Sequence, residues 1–97
     1  MARIDYSNLD HQDIRDTIAA MHQDRDGQAR QVLGITDPRE TKPHNYNIAG
    51  IAHQVAKAVN AADSTPVDLM SDAAYRAHVT TGQAALAQAI RDHYNSA

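Results

Sequence analysis

This chain of 97 residues has no cysteine, no phenylalanine and no tryptophan. The lack of cysteine excludes disulfide bonds, thiolate metal sites and thiol nucleophiles. The lack of large apolar aromatics leaves a core built from 16 Leu, Ile and Val residues, alongside 18 alanines. Because a buried alanine contributes little transfer free energy, we expect a thin hydrophobic core that a partner or a second copy would stabilise.

Glycine, proline and long apolar runs are also scarce. The four glycines, at positions 27, 34, 50 and 82, form no Gly-rich phosphate-binding motif. The first ten residues contain no apolar run, and no stretch approaches the roughly 18 apolar residues of a membrane span. We therefore predict a cytoplasmic protein without a membrane segment. A net charge of −3 and a pI of about 6.0 argue against nucleic acid as its main partner.

The clearest helical pattern lies in the middle of the chain. Its apolar residues recur at steps of three and four and form one stripe, namely Ile48, Ile51, Ala52, Val55, Ala58, Val59 and Ala62. The opposite face carries the polar residues His53, Lys57 and Asn60. We therefore predict that the other helices pack around this one, and that Asn45 or Asn47 is its N-cap.

Capping signals and apolar spacing predict the element before it. Ser7 followed by Asp10 has the form of a capping signal for a helix that begins near Asn8. Its buried stripe is predicted to contain Ile14, Ile18 and Met21. The pattern either continues through Gly27 with a polar notch or breaks there before a short helix that ends at Leu33; we favour the break.

The last third of the chain predicts a short turn and then a long helix. Thr65 and Asp68 flank the start of the turn, with Thr65 as its cap. Ser71 is predicted to cap a final helix that ends near Tyr94, with a stripe of Tyr75, Val79, Leu86 and Ile90. Gly82 lies on that stripe, where it either permits close approach of a neighbour or marks a kink.

These elements predict an all-α protein. We expect residues 1–97 to form a single domain, a small helical bundle of three principal helices plus one or two short ones. Alanine-rich helix faces suit close packing between helices, so self-association, for example as a homodimer, is expected.

The longest irregular stretch, residues 35–46, is the most site-like part of the sequence. It brings positive or titratable groups to the N-terminus of the central helix, where free backbone N–H groups could bind an anion or an acidic side chain. Tyr46 adds a ring of the kind enriched at interfaces. The predicted partner-binding residues are Arg39, Lys42, His44, Asn45, Tyr46 and Asn47. The alternative is a solvated connection whose charges balance Asp37 and Glu40.

Six histidines suggest a metal or small-ligand binding protein as an alternative. No two of them have the i,i+3 or i,i+4 spacing that directs imidazoles to one ion, and there is no H-E-x-x-H. We predict no metal, no cofactor and no enzymatic activity, since a G-x-S-x-G motif is also absent. The carboxylate pairs Asp13 with Asp16 and Asp24 with Asp26 are typical of a solvated helix surface.

A second alternative is DNA binding. Residues 29–36 resemble the end of the first helix in helix-turn-helix units. That motif has a turn of about three or four residues, whereas about a dozen residues follow here before a helix whose one basic residue is Lys57.

The composition therefore favours a protein that works by binding and not by catalysis. We predict a small non-enzymatic interaction module that binds another protein or itself. Adaptors, inhibitors and antitoxin-like proteins, including those of phages and mobile elements, are the typical members of this size and composition class.

Overall fold

The computed structural model describes residues 3–24, 27–33 and 47–95. These residues form four α-helices: α1 (His11–Gln23), α2 (Gln28–Leu33), α3 (Ile48–Ala62) and α4 (Asp72–Asn95). One-turn 3-10 helices, Tyr6–Asn8 and Val67–Leu69, precede α1 and α4. No β-strand occurs in the described part of the chain, so the predicted all-α class, with three long helices and short additional ones, is confirmed.

The N-terminus of α1 differs from the prediction. Ser7 lies in the 3-10 turn, and the Asp10 carboxylate accepts a hydrogen bond of 2.7 Å from the Asp13 backbone N–H. Asp10 therefore caps α1, because its side chain satisfies an N–H that has no partner within the helix. The predicted Ser7 cap is wrong. The predicted break is confirmed, since Gly27 has a φ of 75° and separates α1 from α2.

The short helix α2 packs on α1 and α4, but both long helices pack on the central helix, as predicted. Asn47 is its N-cap, and the Asn47 side-chain oxygen accepts a hydrogen bond of 3.0 Å from the Gly50 N–H. Helix α3 contacts α1, α4 and the first 3-10 turn through a buried stripe of Ile51, Val55 and Val59. Ala58 and Ala62 are exposed, so the buried stripe is narrower than predicted.

A single cluster of buried residues joins the start of the chain to three helices. It contains Tyr6, Ile14, Ile18, Met21, Ile51, Val55, Val59, Leu86, Ala87, Ala89 and Ile90. Two of its α4 members are alanines, which allow the backbone of α4 to lie close to its neighbours. Much of the core volume therefore comes from α1 and α3, and each of their large side chains carries a sizeable share of the burial.

The start of α4 follows the prediction more closely than the turn before it. The Ser71 hydroxyl accepts a hydrogen bond of 3.2 Å from the Ala74 N–H, which confirms the predicted cap. Thr65 does not cap the 3-10 turn: its N–H donates to the Asp63 carboxylate at 2.9 Å, and no side chain caps the turn. Helix α4 continues through Gly82 without a break. None of the described helices is both long enough and apolar enough to cross a membrane.

Candidate binding groove

Residues 3–9, which we call the N-terminal arm, attach to the start of α4 through Arg3. The guanidinium of Arg3 donates a hydrogen bond of 2.9 Å to the Met70 carbonyl and pairs with the Asp72 carboxylate at 3.0 Å. The central carbon of that guanidinium lies 4.7 Å from the centre of the Tyr75 ring, a cation–π geometry. These contacts direct the next residues of the arm along α4.

Two backbone N–H groups of the arm donate to side chains of α4. The Ile4 N–H donates to the Tyr75 hydroxyl at 2.7 Å, and the Tyr6 N–H donates to Nε2 of His78 at 3.0 Å. His78 is only 4% exposed, and its ring lies between the rings of Tyr6 and Tyr75, at centroid distances of 5.8 Å and 6.2 Å. Because Nε2 accepts a hydrogen bond, the neutral ring carries its hydrogen at Nδ1. Nδ1 is buried and has no partner among the described residues.

The Tyr6 side chain packs directly on Gly82. A Cβ atom placed at Gly82 would overlap the Tyr6 ring, so the absence of a side chain there allows the ring to reach the α4 backbone. This contact answers the question left open by the sequence: Gly82 permits close approach and does not kink the helix. Burial raises the pKa of the Tyr6 phenol above its ordinary value, although a hydrogen bond with Gln83 opposes the shift.

The arm, α1 and α4 together enclose a groove of about 600 Å³. Its apolar lining consists of Ile4, Tyr6, Leu9 and Leu86. Its polar lining consists of Arg3, Asp5, Asn8, Asp13, Asp16 and Thr17. Tyr6 and Leu86 are buried and form the floor, whereas Asp13 and Asp16 are exposed and form the rim.

The groove has an excess of negative charge. Its lining carries three carboxylates against one guanidinium, and that guanidinium is already bonded to Met70 and Asp72. Within residues 3–24, 27–33 and 47–95, neither Asp13 nor Asp16 takes part in an ion pair. Asp16 accepts a hydrogen bond of 2.7 Å from the Gln12 side chain, which leaves its negative charge without a cation. An apolar floor beside such carboxylates suits a ligand that has an aliphatic stem and a positive end.

A smaller cleft of about 200 Å³ lies between the end of α3 and the first half of α4. Its lining residues are Val59, Ala62, Asp63, Ala74, Ala77, His78 and Thr81. Hydrogen bonds from Thr65 lower the pKa of the Asp63 carboxyl, and the nearby His78 lowers it further. His78 lines this cleft together with Asp63, and its Nε2 lies 3.8 Å from the Asp5 carboxylate of the arm.

The structure describes one of the six residues predicted to bind a partner. Asn47 is the N-cap of α3. Its side chain and the His93 ring both lie close to the Gly50 backbone, since a Cβ atom at Gly50 would come within 2.9 Å of each. The Asn47 oxygen is thus already engaged in capping. The other five predicted residues, Arg39, Lys42, His44, Asn45 and Tyr46, lie outside the described residues, and their role stays a prediction.

The histidines are placed singly in the described part of the chain. His11 and His53 are exposed, while His78 is buried. No group of three or more His, Asp or Glu side chains there could hold a metal ion.

Sequence analysis missed the groove and the role of His78. It assigned Asp13 and Asp16 to a solvated surface. One signal was present: Tyr75, His78 and Gly82 lie at i, i+3 and i+7 on one face of α4. Two rings followed by a glycine on one helical face are consistent with a docking place for another ring.

Comparisons with protein-family models, with curated proteins and with solved structures find no match to this chain.

Proposed function

We propose that this protein is a small non-enzymatic interaction module that binds a basic segment of another protein in the groove beside the arm. The observation that carries the proposal is the pairing of a buried apolar floor, Tyr6 and Leu86, with the exposed carboxylates of Asp13 and Asp16. A lysine or arginine side chain matches both features, because its methylene groups are apolar and its end is cationic.

Burial of the lysine stem supplies most of the affinity, whereas its charge supplies the selectivity. Each methylene that leaves water contributes about 0.8 kcal/mol, so a lysine stem of three or four methylenes supplies more than the charge does. An exposed ion pair contributes about 0.2–1 kcal/mol, which is roughly 1.4- to 5-fold in affinity. Two such carboxylates therefore favour lysine over a neutral side chain of equal length by about 2- to 30-fold.

The test compares two peptides that differ only at this side chain. A capped Ala-Leu-Lys-Leu-Ala peptide and its norleucine analogue are added to ¹⁵N-labelled protein at pH 8 and low salt. Changes in amide chemical shift are then followed by NMR. We expect saturable shifts in the arm and in the first turns of α1, with tighter binding of the lysine peptide. Equal affinity of the two peptides, or no saturable shift with either, would overturn the proposal.

Matched charge reversals locate the site. Asp16→Lys removes a rim carboxylate, whereas Asp68→Lys makes the same change of charge at an exposed position outside the groove. We expect Asp16→Lys to weaken binding of the lysine peptide by about fivefold or more, and Asp68→Lys to leave it nearly unchanged. If the same groove residues shift with protein concentration when no peptide is present, the groove binds a second copy, and this proposal fails in favour of self-association.

The choice among adaptor, inhibitor and antitoxin-like protein, an origin in a phage or mobile element, and residence in the cytoplasm stay predictions from composition and size. They are compatible with a module whose one described groove accepts a basic segment.

A further inference from the structure

We infer that the surface of α4 that holds the arm also binds the arm of a second copy, so that two copies exchange arms and each completes the other's groove. This surface, which we call the arm seat, consists of Asp72, Tyr75, His78 and Gly82. In this structure the arm occupies the seat of its own chain. The inference does not rest on the proposed function, because exchange needs no ligand in the groove.

The arm shows which chemistry the seat recognises. At one end of the seat, the Arg3 guanidinium pairs with the Asp72 carboxylate. At the other end, the Tyr6 ring packs on Gly82, and between the two ends a pair of backbone N–H groups donates to side chains of α4. The Ile4 side chain takes little part, since that residue is 51% exposed. The seat therefore recognises an arginine, the backbone and a tyrosine three residues later, and every copy of this chain carries that segment in its arm.

The seat belongs to the bundle and not to the arm. All of its residues lie on α4, which packs on α3 and contributes Leu86 and Ile90 to the core. The hydrogen bonds between the arm and this part of the chain join residues 64 to 72 positions apart, so no seat residue is a sequence neighbour of the arm. The seat of a second copy therefore offers the same hydrogen bonds, ion pair and ring contact, and exchange leaves their number unchanged.

The connection between the arm and α1 is compatible with exchange. Leu9 has φ −68° and ψ 136°, and Asp10 has φ −82° and ψ 166°, so both residues are extended and neither forms a tight turn. Leu9 is half-buried and Asp10 is exposed. A rotation at Leu9 redirects the arm, while Asp10 continues to cap α1. The 3-10 turn of the arm, which packs on α3 here, moves with it to α3 of the second copy.

Protein concentration decides between the two arrangements. The covalent link favours the chain's own seat, because it acts as an effective concentration on the order of mM. Since the contacts are the same in both arrangements, exchange becomes comparable as the protein concentration approaches about 1 mM. A pair of variants in which neither chain can seat its own arm removes this competition.

Complementary variants of the full chain test the exchange. Tyr6→Ala keeps the seat but loses the ring that fills it, whereas Gly82→Leu keeps the ring but fills the seat, where even a Cβ atom would overlap the ring. In an equimolar mixture only one chain has Tyr6 and only the other has Gly82, so any NOE between the Tyr6 ring and the Gly82 α-hydrogens is intermolecular. We expect this NOE and a two-chain species in sedimentation. Each variant alone should give neither.

The matched control changes only the seat of the accepting chain. The double variant Tyr6→Ala/Gly82→Leu takes the place of Tyr6→Ala in the mixture and should give no two-chain species. If Tyr6→Ala does not fold alone, the addition of Gly82→Leu should restore helical circular dichroism beyond the sum of the separate chains. An equal amount of the two-chain species in the control would overturn the inference.

The wild-type protein supplies the second measurement. Labelled (¹³C) and unlabelled chains are mixed, and isotope-filtered NOEs are recorded between the Tyr6 ring of one and Gly82 of the other. We expect these NOEs to grow with protein concentration and to disappear on dilution. Their absence at about 1 mM protein would overturn the exchange, whatever the variants do.

The exchange and the proposed function fail separately. Asp16 lies on the rim of the groove and is not part of the seat, so Asp16→Lys should weaken binding of the lysine peptide and leave the exchange unchanged. Exchange does not fill the groove, so the concentration-dependent amide shifts that it causes should be confined to Leu9 and Asp10. A protein that exchanges arms but does not bind the peptide loses only the proposed function, and a protein that binds the peptide without exchange loses only this inference.

Discussion

The contact between Tyr6 and Gly82 shows how one missing side chain creates a docking place. Glycine in the middle of a helix costs about 0.5–1 kcal/mol relative to alanine, so an open helical position would gain stability from Gly→Ala. At Gly82 the Tyr6 ring occupies the space that the Cβ atom needs. We predict that Gly82→Ala destabilises the protein by about 1–2 kcal/mol, because overpacking costs more than the helix gains. Urea unfolding measures this change.

The matching control is made in a Tyr6→Ala background. There the ring is absent, so Gly82→Ala should become stabilising, by up to about 1 kcal/mol. The change of sign is a double-mutant coupling that only the contact explains. A destabilisation of the same size in both backgrounds would mean that Gly82 is needed for another reason.

Tyr6 also predicts how stability depends on alkaline pH. Burial raises the pKa of its phenol above the ordinary value of 10.0, so the neutral form is the one that fits the folded protein. Its contribution is complete below pH 10 and is lost as the pH rises from there through the raised pKa. We expect the free energy of unfolding to fall as the pH rises above 10 in the wild type and to fall less in Tyr6→Phe. Parallel declines in the two proteins would contradict this assignment.

At the scale of elements, α3 is the helix on which α1, α4 and the arm pack. Its three buried residues, Ile51, Val55 and Val59, are spaced by four and contact α1, α4 and the arm. Because only these three side chains of α3 are buried, no other buried residue of the helix can replace one that is lost. Damage at its centre should therefore affect every other helix.

We predict that Val55→Asp unfolds the protein, whereas Ala58→Asp on the same helix does not. Val55 is fully buried, and an unpaired carboxylate there costs several kcal/mol, a large part of the roughly 5–15 kcal/mol that stabilises a domain. Ala58 is exposed, so the same carboxylate stays in water and costs about 0.5–1 kcal/mol, mainly in helix propensity. Helical circular dichroism against temperature distinguishes the two. If Ala58→Asp unfolds the protein as Val55→Asp does, Ala58 belongs to the buried stripe, as the sequence pattern alone suggests.

At the scale of the whole molecule, the arm joins the beginning of the chain to its last helix. Its hydrogen bonds to α4 and to the turn before it link residues 64 to 72 positions apart, from Arg3 with Val67 to Tyr6 with His78. Contacts of such separation restrict the chain over a long loop, while the arm itself buries only Tyr6 fully. An attachment of this kind is expected to open locally at a lower free energy than the bundle. That property makes the groove a place where binding can act without unfolding the helices.

Local pattern predicted most of the helices because helix formation depends on near neighbours. The spacing of Ile51, Val55 and Val59 identified α3, and Ser71 marked the start of α4. The break at Gly27 followed from its weak helix propensity. The errors were local too: Ser7 and Asp10 both offer capping oxygens close together, and the chain uses Asp10. Ala58 and Ala62 share the apolar phase of α3, but both are exposed.

The amino-acid sequence by itself determined the all-α class and the central helix, since these depend on periodicity and composition. Only the tertiary structure decided what Gly82 does, which surface carries the groove, and that His78 accepts a hydrogen bond from the arm. Each of these depends on residues distant in sequence, such as Tyr6 and His78, whose approach is set by the packing of whole helices. No local sequence pattern predicts this approach, because a side chain of the same type at the same helical phase can face water, a cavity or another segment.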